Sequence, residues 1–382
     1  MIILFKNKHF LKKYNNKDII EKIKNNKFTD INYIQTYHNQ DNIFDYIINN
    51  NNLPKIINNF FKLIISFNES KYLDKDLIKE TEKLNRLINK LIKDYKKLIP
   101  YKNMFIYNCF LYNVSYVDVN KKDILSKYNK FISLIFNNNK YKSNIIKKTF
   151  NRRIKILFIG FYMIKLNSTL TSVFRDRSEI IKNLNHNIFE KHLLIHKTEQ
   201  NSTIYNELLK NVDRTLYLNN INNFDKNIEI LLEENYDIVV YPSIGMDWMS
   251  NLFAHCRLAP IQITTWGHSI TSGIDTIDYY ISSSLYELPY KQSQEFYSEK
   301  LILLKNMTTY YLDYMKLMKP TFKTREELKL PKDKYIICCM QNIVKINKEF
   351  IYMLLQIITK LPNSIILFNK YNLKEDKINK IQ

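Results

Sequence analysis

Glycine is almost absent from this chain: 4 of 382 residues, about 1% where ~7% is usual. Residues 1–150 contain none, and all four lie between Gly160 and Gly273. Glycine allows left-handed backbone and close approach of another segment, so a chain this poor in it keeps it where no side chain fits. Two of the four, Gly267 and Gly273, fall in TWGHSITSG, beside Trp266, one of only two tryptophans. That pattern reads as a strand end opening into a tight polar loop, a place for a ligand. Cysteine is scarce too. Cys109, Cys256, Cys338 and Cys339 show neither CxxC nor Cys/His ligand spacing, which argues against structural zinc and a disulfide framework and fits a reducing compartment. The adjacent Cys338 and Cys339 read as buried strand residues.

No run of about 18 apolar residues occurs, so no membrane span is expected. The opening MIILFKNKHF is too short an apolar run for a signal-peptide core. The expectation is a soluble cytoplasmic protein. Blocks of five or six like charges are also missing. The net charge of +21 comes mostly from lysines scattered among Asn and Ile, whereas a nucleic-acid footprint needs basic residues clustered on one face. The excess favours small anionic ligands, such as a nucleotide diphosphate, through long-range attraction.

What is present is core. Hydrophobic residues make up 45% and aromatics 14%, enough to exclude wholesale disorder, and the length suggests two or three domains. Residues 1–150 read as an all-helical region. Apolar residues recur at three and four through Ile56–Ile65, Leu77–Ile92 and Ile124–Phe136. No 34-residue repeat with its usual small residues is visible. At Arg152 the pattern changes to strands alternating with helices of about ten residues: strands at Ile154–Ile159, His192–His196, Thr215–Leu218, Asp237–Tyr241, Ile261–Thr265 and Tyr279–Ser282. That alternation predicts a Rossmann-like α/β domain over 151–310 with a mainly parallel sheet. Ligands of such sheets gather at the carboxyl ends of strands, so Gly160, Pro242–Gly245 and Gly267–Gly273 should line one edge. A second, incomplete Rossmann-like unit is predicted over 320–382, with strands at Tyr335–Met340 and Ser364–Phe368. Its completion by another chain, or truncation, is the expectation.

The run YPSIGMDWMSNLFAHCRLAPIQITTWGHSITSGIDTIDYYISS (241–283) resembles the nucleocytoplasmic O-linked N-acetylglucosaminyltransferase family, closest to its bacterial and SPINDLY-type branch. FYSEKLILL (296–304), CMQNIVKI (339–346) and the tract Leu111–Phe136, similar to the family's helix before the first strand, extend the resemblance to about residues 105–370. The resemblance implies an inverting glycosyltransferase with two Rossmann-like domains (GT-B). Such enzymes use no metal and move a sugar from a UDP-sugar co-substrate to a protein acceptor.

Without a metal, the leaving diphosphate needs cations and helix N-termini. By resemblance Lys345 supplies the cation, with Asn342 and its neighbour Gln341 contacting the donor; a solvated lysine at a helix start is the plainer reading. Gly267 allows close backbone approach, and Thr271 and Ser272 can hydrogen-bond the sugar or phosphates. His268 is the acid/base candidate by chemistry, equally an orienting or core histidine. Asp247 should face the cleft or cap a helix, and His255 reads as packing. The chain departs from the family in two places. It has no histidine between Gly160 and Arg177, where the family carries one, and the family's later donor-binding elements would fall beyond Gln382, so UDP-sugar affinity should be poor. The competing reading is a non-catalytic relative whose helical region binds proteins.

Overall fold

The computed structural model describes residues 53–69, 76–106, 110–115, 117–143, 152–161, 163, 170–196, 202–217, 223–311, 322–341 and 345–368. Cys109 and Asn342 lie outside these.

The three- and four-residue spacing produces helices α1 (Lys55–Glu69) and α2 (Leu77–Leu98). They bury Ile57, Phe60, Phe61 and Ile64 from one, and Leu84, Ile88, Leu91 and Leu98 from the other. Asp76 starts α2 by accepting the Lys79 backbone N–H at 3.1 Å. Short helices α3 (Lys102–Ile106) and α4 (Phe110–Ser115) lead to α5 (Lys122–Phe136). The tract expected to be one helix before the first strand is therefore two. The Asn120 side chain accepts the Lys122 N–H at 3.1 Å, a local bond that competes with helix continuation. Asn137, left-handed at φ 53°, ends α5.

Seven parallel strands follow: β1 (Ile154–Ile159), β2 (Phe189–Ile195), β3 (Arg214–Tyr217), β4 (Ile238–Tyr241), β5 (Ile261–Thr265), β6 (Tyr279–Ser283) and β7 (Lys300–Leu304). Their order is β3-β2-β1-β4-β5-β6-β7. Helices α6 (Ser172–Asn183), α7 (Thr203–Lys210), α8 (Phe224–Glu233), α9 (Trp248–Ala254) and α10 (Tyr290–Gln294) connect them. The α/β alternation is as expected, but Lys300–Leu304 adds a seventh strand to the six expected, and β2 begins three residues before His192. Lys191 conceals this start. It is fully buried, and its ammonium donates to the carbonyls of Ile181, Lys182 and Leu184 at 3.1–3.2 Å, capping the C-terminus of α6.

Alternate strand residues face two apolar layers, as a sheet covered on both sides requires. Leu157, Ile159, Leu194, Val239 and Tyr241 join one layer, while Ile156, Phe158, Leu193 and Ile195 join the other with Val173, Phe174 and Ile181 of α6. The first layer also contains Phe60 of α1, Ile88 of α2, Phe105 of α3, and Leu125 and Phe131 of α5. One continuous apolar cluster thus joins the helices before β1 to the sheet.

After β7 the chain returns across α6, where the Tyr310 N–H donates to the Asp176 carbonyl at 3.1 Å and Arg177 donates to the Thr308 carbonyl. Strands β8 (Tyr335–Cys339) and β9 (Ser364–Phe368), joined by α11 (Lys348–Lys360), form a parallel pair of their own. Cys339 is buried, but Cys338 is exposed, contrary to expectation. Successive strand residues face opposite sides, and this two-strand sheet leaves the Cys338 side open. Among the described residues no helix is long and apolar enough to cross a membrane.

Candidate functional site

The sheet order reverses between β1 and β4, because β1 leads outward to β2 and β3 while β4 leads the other way to β7. A crevice opens at the carboxyl ends of strands at such a switch point. The loops after β4 and β5 meet there at backbone distance. A Cβ placed on Gly267 would stand 2.3 Å from the Pro242 carbonyl oxygen and 2.9 Å from Ser243 Cα. Gly273, at φ +68°, rests in the same way on α5, with Leu125 C only 2.7 Å from where its Cβ would be. The sequence keeps glycine here because two backbones touch at one position and a left-handed turn meets a helix at the other.

His268 follows Gly267 and is 8% exposed. Its Nδ1 lies 3.1 Å from Ser115 Oγ on α4, and its carbonyl accepts the Tyr280 hydroxyl. Burial first, and the Lys345 ammonium second, push the imidazole down to about 4, against the raising effect of the Gly245 backbone. His268 is therefore neutral at pH 7. The same interaction places Lys345, which is exposed, within electrostatic reach of His268. Two residues far apart in the chain, singled out separately from the sequence, thus lie within electrostatic range of each other. Gln341 lies exposed just past β8.

Asp247 is the N-cap of α9. It accepts the Ser250 N–H at 2.7 Å and the Ser243 hydroxyl at 3.3 Å. Burial nevertheless raises its carboxyl to about 6, the hydrogen bonds opposing the shift. His255, at the other end of α9, is buried with Nδ1 at 2.9 Å from Ser133 Oγ of α5, and burial drives it down to about 3. Its packing role matches its placement.

Thr271 and Ser272 are both buried, and their hydroxyls converge on Glu299. The Glu299 carboxylate accepts Thr271 Oγ1 at 2.6 Å, the Ser272 N–H at 2.8 Å and the Ser272 hydroxyl, while being 2% exposed itself. Asn129 of α5 donates to the Ser272 carbonyl at 2.8 Å. These two side chains shape the loop, and neither was singled out from the sequence. The signal for Asn129 was present: it is a polar residue on the buried stripe that runs through Leu125 and Ile132. Glu299 precedes the apolar run of β7, where a charged group has little reason to be buried unless it is fully bonded.

Replacing Glu299 by Gln puts an amide N–H against donors and should cost about 2–3 kcal/mol. Thermal unfolding measures the loss, and hydrogen exchange should show it localised to residues 271–273. An unchanged melt would mean that these bonds do not hold the loop.

Trp266 stacks on Tyr286 with ring centroids 4.5 Å apart and packs against the cluster of Tyr280, Tyr297 and Leu301. Among the described residues no cluster of His, Cys, Asp or Glu has the arrangement of a metal site.

No protein-family model matches the chain. Over 110 residues, 28% of its length, it is 30% identical to the Arabidopsis thaliana protein described as "Probable UDP-N-acetylglucosamine--peptide N-acetylglucosaminyltransferase SEC". The match spans only 11% of that relative. Among solved structures it is similar to a point mutant of the O-GlcNAc transferase of Thermobaculum terrenum, at 12% identity and a TM-score of 0.47, covering 83% of this chain and 69% of that one. In sequence, then, the chain is similar over about a quarter of its length to a protein described as a peptide N-acetylglucosaminyltransferase.

Proposed function

We propose that the chain is a glycosyltransferase of the inverting, metal-independent GT-B kind, moving a sugar from a UDP-sugar to a protein side chain in the cytoplasm. N-acetylglucosamine is the sugar this reading favours. The observation that carries it is the glycine loop at the sheet's switch point, where Gly267 lies against the Pro242 backbone and Lys345 of the second unit lies within electrostatic reach of His268. In the reaction an acceptor hydroxyl attacks the anomeric carbon, the bond from that carbon to the diphosphate oxygen breaks, and the diphosphate leaves with the electron pair. The proton of the attacking hydroxyl passes to solvent water.

Lys345 would neutralise the departing diphosphate, with Gln341 and Asn342 as amide contacts and Gly267 allowing close approach. A histidine as weakly basic as His268 suits hydrogen bonding to a substrate group better than storing a proton. Asp247 has the better-matched basicity, but its oxygens are engaged in capping α9; we assign it to positioning the β4 loop. Thr271 and Ser272 hold their loop in shape through Glu299 and contact the donor only through backbone or residual hydroxyl capacity.

Calorimetry with UDP tests the reading. The expected result is binding by the parent chain and a loss of about 10- to 100-fold for Lys345→Ala, as removal of a charged hydrogen bond implies. No heat at millimolar UDP, or a variant indistinguishable from the parent, overturns it and favours the non-catalytic, protein-binding alternative.

A further inference from the structure

A groove of about 530 Å³ runs between α1 and α2, well away in sequence from the glycine loop. Its floor is Leu63 and Leu87, and its rim carries the cations Lys62, Lys83, Arg86 and Lys90. Among the described residues the acidic group lining it is Glu80, which already accepts the Lys83 ammonium at 2.6 Å. Arg86 has Glu82 at 3.6 Å, both side chains well exposed. Lys62 and Lys90 are exposed and make no ion pair among the described residues. Among the described residues the rim therefore carries more positive than negative charge above an apolar floor.

The arrangement follows from helical spacing. Lys83, Leu87 and Lys90 stand at i, i+4 and i+7 on one stripe of α2, and Lys62 and Leu63 face them from α1. From Glu80 to Lys90 the groove extends about 15 Å at 1.5 Å per residue, the length of four or five residues of extended chain. The open leucine floor gives the apolar side chains of a peptide something to cover. A nucleic-acid backbone would gain from the cations but nothing from the floor.

We propose that this groove docks a short acidic peptide segment of a partner protein, its apolar side chains on Leu63 and Leu87 and its carboxylates against Lys62 and Lys90. The inference stands whether or not the chain transfers sugars.

Fluorescence anisotropy with a labelled hexapeptide alternating Glu and Leu tests it on the full chain. The expected result is salt-sensitive binding that falls about tenfold in Lys62→Glu/Lys90→Glu. Both side chains are exposed, so the thermal melt of that variant should match the parent's. Lys96→Glu/Lys97→Glu reverses two charges on the same helix outside the groove and should leave binding unchanged. Equal loss in that control would show diffuse attraction to a basic chain and overturn the proposal. Undiminished binding of a hexapeptide alternating Gln and Leu, or a single-stranded oligonucleotide of equal charge binding as tightly as the acidic peptide, would overturn it too.

Discussion

Alanine at Gly267 should destabilise the chain by about 2–4 kcal/mol, and alanine at Gly273 by a similar amount. At Gly267 the new methyl carbon would sit 2.3 Å from the Pro242 oxygen and 2.9 Å from Ser243 Cα. Both obstacles are backbone, so one of the two loops at the switch point must move. At Gly273 two costs combine: a φ of +68°, which side chains resist, and contact at 2.7–2.8 Å with Leu125 and Ser126 of α5. Gly160 is the control. Its nearest neighbours are side-chain atoms of Ile195, Leu193 and Met163 at 3.0–3.2 Å rather than backbone, so Gly160→Ala should cost less, about 1–2 kcal/mol. Urea midpoints of the three variants measure the difference. Equal midpoints for Gly267→Ala and Gly160→Ala would remove the close approach of the two loops, and the geometry of the site with it.

Lowering the pH from 7 to 5 should weaken the fold by several kcal/mol. His196, His255 and His268 are buried, and burial is the largest cause holding them at about 4, 3 and 4. An unfolded histidine titrates near ~6.5. Below that value the unfolded chain binds protons that these three refuse in the native state, so stability falls as pH drops from about 6.5 toward 4. At pH 5 each contributes a loss of about 2 kcal/mol, roughly 6 together as an upper bound.

Asp247 works in the opposite direction. Its folded value of about 6 lies above the ordinary 3.8, so the native state binds its proton first and gains about 1–2 kcal/mol over the same descent. The net loss should be about 4 kcal/mol. Asp247→Asn, which keeps a competent cap, should raise stability at pH 7 and steepen the acid loss; His255→Gln should flatten it. Urea midpoints at pH 7.5 and 5.0 decide the matter. A midpoint that does not move would mean that the histidines are not buried as the fold places them.

Much of the architecture is legible in the residues themselves. β1 and β5 run over the residues expected, because runs such as IKILFI and IQITT carry their periodicity locally. The errors fall where a polar side chain does something only the fold reveals. Lys191 hides the start of β2 because its ammonium finds three helix-end carbonyls. Asn120 splits a tract that reads as one helix. The family resemblance points to the glycine-bearing loop, but not to the groups that hold it. Glu299 and Asn129 reach Thr271 and Ser272 from 28 and 143 positions away, and no local pattern encodes such a partnership.

By itself the sequence determined the helices between Lys55 and Phe136, the parallel α/β sheet and the glycine-bearing loop, since each depends on spacing or on backbone freedom within a few residues. Tertiary structure decided what the loop is made of. It brought Pro242 against Gly267, α5 against Gly273, Ser115 to His268 and Lys345 into reach of the same histidine. It also turned Thr271 and Ser272 inward to a buried carboxylate. Those outcomes depend on which distant groups share one low-dielectric space, where an unbonded polar atom is costly, and only the closed fold selects them.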